Sequence, residues 1–264
     1  MWKRVHTLFV GWLLLLGAAC NLNQDKDPII VPVLEDEFYL DLWQELSPAG
    51  SSLVIEFETL QEEDCLNAEV LSSYERVNRI LKLTLFDILE PESCIPGRAP
   101  ARGEETLAGL EQGTYNLLID LQEIVRNEGT LSIDAGGFQV ETPTHGFQWR
   151  HGRIERIAPE ALWGYISYAN ETERLIAEQQ LTELAQFTTP LAGVVGYYGH
   201  FEIMEDGSFA LAERILPGEA SNLSFLLQYQ DTTALADWLA DTRAQLSEGM
   251  SLRVFNGRGD VWAY

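Results

Sequence analysis

The chain has 264 residues, 46% of them apolar and 10% aromatic, which is a globular profile long enough to bury a sizeable core in one domain or two. Acids outnumber bases 41 to 17, giving a net charge of −24. That balance argues against nucleic acid as a partner, because phosphate binding needs a basic footprint. At the start of the chain, Lys3 and Arg4 precede the apolar run Leu8–Ala19. Twelve residues are too few to cross about 30 Å of hydrocarbon as a helix. Polar Asn21, Asn23, Gln24 and Asp25 follow at once, so residues 1–19 read as a secretory signal.

The run closes with Leu16-Gly17-Ala18-Ala19-Cys20, small residues directly before a cysteine. This resembles the lipobox of bacterial lipoproteins, although Gly17 stands where the common pattern has leucine. The resemblance implies diacylation of the Cys20 sulfur, cleavage before it, and a protein tethered to a membrane by lipid. Asn21 after the cysteine, in place of the aspartate that marks inner-membrane retention in that family, implies the outer membrane, facing the periplasm or the cell surface. The alternative is an ordinary signal cut near Ala19. Cleavage removes Lys3 and Arg4 and no acid, leaving 15 bases against 41 acids and a net charge of −26. Such an acidic surface suits a salt-adapted exported protein, or one that binds cations or a basic partner.

Residues 20–47 read as a lipidated tether ending in a possible first strand, Glu37–Trp43. Residues 48–142 read as β throughout. Leu53, Ile55 and Phe57 alternate with Val54, Glu56 and Glu58; Leu81, Leu83 and Leu85 share a face, and so do Leu131 and Ile133. Gly113-Thr114-Tyr115 resembles the Gly-x-Tyr corner of immunoglobulin-like sandwiches, in which the tyrosine hydroxyl hydrogen-bonds back to the chain. The expectation is therefore an Ig-like β-sandwich. Cys65 and Cys94 remain after cleavage, and in an oxidising compartment an even pair implies a disulfide, contributing roughly 3 kcal/mol on the chain-entropy model.

Residues 143–160 read as a connector with Pro143, His145-Gly146, His151-Gly152 and Pro159. Residues 161–264 then read as two similar units on one sheet, an α+β domain of ferredoxin-like type. Leu162–Tyr168 is a strand, Asn170 and Glu173 form a capping box, and Ala177, Leu181 and Leu184 follow helical spacing. Val194–Met204 reads as one strand, turning at Asp206-Gly207 into Ser208–Glu213. Phe225–Tyr229 is a strand, Asp231 or Thr232 caps a helix bearing Leu235, Leu239, Thr242 and Leu246, and Asn256-Gly257 turns a last hairpin.

Chemistry is harder to find. The sequence holds no G-x-S-x-G elbow, Walker loop, H-E-x-x-H or Rossmann fingerprint, and no calcium loop, so no catalytic residue and no cofactor is expected. His145, His151 and His200 share neither a strand face nor a helix face, so no metal site is expected. Arg150, Arg153 and Arg156 concentrate three bases beside Trp149 and His151, to grip either an anionic group or the protein's own acids across an interdomain joint. Arg258-Gly259-Asp260 spells an adhesion tripeptide, in a turn where Gly and Asp are expected anyway. Together these features predict an envelope-anchored lipoprotein serving as a binding or assembly module for a protein or a glycan. The alternative is an extracytoplasmic hydrolase whose carboxylates converge only in the fold.

Overall fold

Period-two patterning builds the first and larger part of the molecule. Leu40 and Leu42, then Leu53, Ile55 and Phe57, then Leu81, Leu83 and Leu85 are all buried in one interior, each separated by a residue that faces outward. The computed structural model describes residues 35–264 except 90, 217, 219 and 220. The expected signal peptide and Cys20 lie outside the described residues. Glu35–Tyr264 forms one compact unit.

Ten strands share that interior. They are β1 (Phe38–Ser47), β2 (Gly50–Cys65), β3 (Glu69–Val77), β4 (Ile80–Leu89), β5 (Pro96–Leu107), β6 (Gly113–Leu121), β7 (Val125–Ile133), β8 (Gly137–Glu141), β9 (Phe147–His151) and β10 (Arg153–Glu155). They form a single sheet in the order β10-β8-β7-β6-β4-β3-β5-β2-β1-β9. The two end strands, β9 and β10, are consecutive in the chain and meet at Gly152, whose carbonyl accepts from Val140 N at 2.7 Å. The sheet is therefore nearly closed, like a barrel. At Gly103, opposite Phe57, an added Cβ would stand 2.3 Å from the phenylalanine ring, so the wall itself makes room for the core.

This corrects the expected Ig-like sandwich. Residues read as a connector supply β9 and β10; β9 pairs parallel to β1 and β10 antiparallel to β8, so the first and last strands are brought round into one sheet instead of two stacked ones. Asn127, fully buried, fixes the approach to β9: its side chain accepts from His145 N at 2.9 Å and donates to His145 O at 3.1 Å. The tyrosine contact exists without the sandwich, since Tyr115 Oη donates to Glu111 O at 3.0 Å and accepts from Glu111 N at 2.8 Å. Cys65 at the end of β2 is bonded to Cys94, with Cα atoms 5.4 Å apart.

The second part is built on β11 (Ala161–Tyr168), β12 (Thr188–Pro190), β16 (Ser221–Tyr229), β17 (Ser251–Asn256) and β18 (Val261–Ala263), in the order β12-β16-β11-β17-β18. Helix α1 (Glu171–Leu184) follows β11 and helix α2 (Thr232–Gln245) follows β16. Asn170 caps α1 by accepting from Glu173 N, and Asp231 caps α2 by accepting from Thr233 N and Ala234 N. Leu162 and Ile166 of β11 pack with Leu184, Leu235 and Leu239 beneath the helices. Trp163 and Tyr165, on the opposite face, pack with Phe201, Ile203 and Leu211. Those last residues belong to a small sheet of β13 (Gly196–Tyr197), β14 (Phe201–Ile203) and β15 (Phe209–Leu211).

The ferredoxin-like expectation is corrected with the sandwich. The sheet is covered on both faces, a third sheet lies between the two strand–helix units in sequence, and a fifth strand, β18, extends the edge. The run Val194–Met204, expected as one strand, is broken at Gly199, whose φ of +83° favours glycine. An added Cβ there would stand 2.8 Å from the Cα of Trp43, so this glycine is also what lets the small sheet lie against β1.

Candidate functional site

Of the cavities that bring together polar side chains from distant parts of the chain, the two largest combine them with aromatic rings. The first lies where β1, β2 and β9 meet the small sheet, has a volume of about 590 Å³, and is centred on Asp41. Asp41 points outward from β1 between the inward Leu40 and Leu42, yet only 8% of it is exposed because Tyr197 and Arg214 cover it. Its Oδ1 accepts from His151 Nδ1 at 3.0 Å and from Leu42 N at 2.8 Å. Its Oδ2 accepts from Tyr197 Oη at 3.2 Å and from Arg214 at 3.3 Å. The Tyr197 ring stacks on His151 with centroids 3.6 Å apart. Burial, and then the Asp41 carboxylate beside it, push the Tyr197 hydroxyl well above the usual tyrosine value, so it serves as a neutral donor.

Glu56 and Glu58 of this cavity are engaged in the same way, while Glu213 at its rim is exposed. Arg214 also pairs with Glu56 at 3.1 Å and lies over Trp43; Glu58 is held by Arg102 at 3.3 Å and by Arg150, whose guanidinium lies over Tyr39. Behind this network His200 is buried between Trp43 and Trp163 and donates from Nε2 to Gln44 O at 2.6 Å. Burial pushes its pKa down to about 4, so it is neutral at pH 7.

The arginine trio does not converge. Arg150 faces Glu58 in the cavity, Arg153 pairs with Glu155 at 2.7 Å, and Arg156 donates to Asp134 O at 2.9 Å and lies over Phe138. The joint between the two parts of the molecule is instead made by Asp41 and Glu56 with Tyr197 and Arg214, and by His200. Asp41 carried one signal in the sequence: it is the lone acid inside the apolar stretch Phe38–Trp43. Tyr197 and Arg214 carried none.

The second cavity, of about 610 Å³, is a groove between α2 and the hairpin of β17 and β18. Trp262, half-buried, and Tyr264, 36% exposed, supply aromatic surface, and Arg243, Arg258 and Asp260 supply charge. Arg243 reaches it because residues 232, 235, 236, 239, 240 and 243 share one face of α2, and its guanidinium lies 5.2 Å over the Tyr264 ring. Asn256, buried at the end of β17, shapes the turn: its Oδ1 accepts from Arg258 N and Asp260 N, and its Nδ2 donates to Asp260 Oδ2 at 2.9 Å. Gly259 packs against the backbone of Ser47, so Arg258-Gly259-Asp260 is one wall of a groove and not a free adhesive loop.

No family model, curated protein or solved structure matches the chain. The geometry alone carries the functional argument. Among the described residues no group of three His, Cys, Asp or Glu side chains could hold a metal ion. In the first cavity four acids face three arginines and a histidine, and every ion pair is made within the protein. In the groove two arginines face one aspartate, and neither guanidinium has a carboxylate partner among the described residues.

Proposed function

We propose that this protein is an exported lipoprotein, tethered to the outer membrane through Cys20, that works as a binding module for a glycan, and that nucleic acid is not its partner. The groove of α2, β17 and β18 supports the reading. It combines aromatic surface with unpaired polar groups on rigid elements, the composition of a site that binds and orients a small polar ligand. A hydrolase would need two carboxylates free to face a substrate across a cleft. In the first cavity Asp41, Glu56 and Glu58 are each already bound by an arginine or a histidine. The tether rests on the lipobox-like Cys20, and no helix among the described residues is long and apolar enough to cross a membrane.

Two measurements test this reading. Cys20→Ser should release the protein from the membrane fraction and abolish metabolic labelling by a fatty acid; unchanged labelling rejects the lipid anchor. The full chain in detergent, presented to a glycan array, should retain saccharides, and Trp262→Ala should lower that retention about ten-fold or more. Retention that ignores the substitution, or none at all, rejects the groove as the site.

A further inference from the structure

We infer that the saccharide bound in the groove is acidic, bearing a carboxylate on its ring; this rests on the reading of the groove as a glycan site. Three features of the groove, each with a different chemistry, point to one ligand class. Arg243 and Arg258 offer guanidinium forks that no carboxylate among the described residues engages, on a chain whose acids outnumber its bases 41 to 17. In the first cavity, by contrast, Arg102, Arg150 and Arg214 each pair with acids. The acids carried by the same helix, Asp237 and Asp241, do not line the groove. Two guanidiniums without carboxylate partners lining one groove select an anion.

Asp260 supplies the second feature. Its Oδ2 is taken by Asn256 Nδ2, while Oδ1 has no partner among the described residues. A carboxylate oxygen left open can only accept, so the ligand must bring a neutral donor as well as its negative charge. Ring hydroxyls meet that need, whereas a bare anion does not. The third feature is the ring surface of Trp262 and Tyr264, which suits the C–H face of a pyranose and not a chain of charges. A uronic acid joins all three: an apolar ring face, hydroxyl donors and one carboxylate. Arg243 is already positioned by its stacking on Tyr264, so less side-chain freedom is lost when the carboxylate arrives.

The test is calorimetric titration of the full chain in detergent with tetramers of galacturonate, glucuronate and mannuronate, and with the methyl ester of each. Esterification removes the charge and keeps the ring and its hydroxyls. At least one acid tetramer should bind about ten-fold or more tightly than its ester, with affinity falling as salt is raised. The double substitution Arg243→Gln with Arg258→Gln should bring the acid down to the level at which that variant binds the ester. If acid and ester bind alike and both are lost with Trp262→Ala, the glycan reading stands and the acidic ligand is wrong. If no acid tetramer exceeds its ester in the wild-type chain, the inference is overturned. If, in addition, no saccharide on the array depends on Trp262, the glycan reading falls with it.

Discussion

The two cavities are close in size but opposite in their electrostatics. Around Asp41, strands of the barrel-like sheet and the small sheet bring Asp41, Glu56 and Glu58 together with His151 and three arginines, and the result holds two parts of the fold in register. In the groove, α2 and the last hairpin set Arg243 over the Tyr264 ring and bring Arg258 to the same cavity, and leave both without carboxylate partners among the described residues. Charge that is internally matched contributes to structure, and charge left unmatched at a concave surface is available to a ligand. In so acidic a chain, arginines that line a cavity without carboxylate partners are the informative ones.

That contrast predicts large effects on stability at the joint and small ones at the groove. Asp41→Ala leaves His151, Tyr197 and Arg214 without their shared acceptor in a buried setting. It should cost about 4 kcal/mol in urea unfolding, the scale expected when one partner of a buried charge network is removed. A loss below about 1 kcal/mol would show that the network is a surface feature.

The next effect is a pH dependence from His200. Its folded pKa of about 4 lies below the ordinary 6.5, so as pH falls through that window the unfolded chain takes up a proton that the folded protein refuses. Stability is therefore complete above pH 6.5, declines towards pH 4, and should fall by about 2 kcal/mol between pH 7 and pH 5 on this account alone. His200→Gln keeps a donor for Gln44 O and removes the titration, so the variant should lose about 2 kcal/mol less than the wild type over that interval. Equal slopes would mean that His200 is protonated without opening the joint.

Tyr197→Phe removes one hydroxyl from Asp41 and from Gly199 O while keeping the ring on His151, and should cost about 1 kcal/mol. The smallest change is expected at the groove. Arg243→Gln and Arg258→Gln should each alter unfolding stability by less than about 0.5 kcal/mol, because both side chains are exposed and unpaired. A larger loss from either would mean that the groove, like the joint, is held together by its own charges.

Much of the local structure was legible in the chain. The alternation of Leu53, Ile55 and Phe57 gave β2, Asn170 and Asp231 gave the helix starts, Asp206-Gly207 gave a turn, and the even pair of cysteines gave the bond between Cys65 and Cys94. These are short-range matters, fixed by side-chain period, by capping oxygens and by backbone preference at glycine. The groove was half legible: its hairpin and its helix were expected, but their facing was not, so Arg243 and Trp262 were never placed together. The joint was less legible still. Asp41 and Arg214 are far apart in sequence, and the cluster Arg150, Arg153, Arg156 drew attention to neighbours that the pleat sends to different partners.

The sequence by itself determined where both helices and many of the strands lie, which side chains of those strands turn inward, and the charge that the molecule carries; β9 and β10, inside the stretch read as a connector, and the break at Gly199 it did not. It did not determine whether the inward faces meet as two stacked sheets or as one sheet bent round, because alternation along a strand is the same in both. Only the tertiary structure decided that, through β9 pairing with β1 and β10 with β8 around Gly152. It also decided which arginines find acids and which face open space, since ion pairing depends on distances between strands and helices that no local pattern encodes.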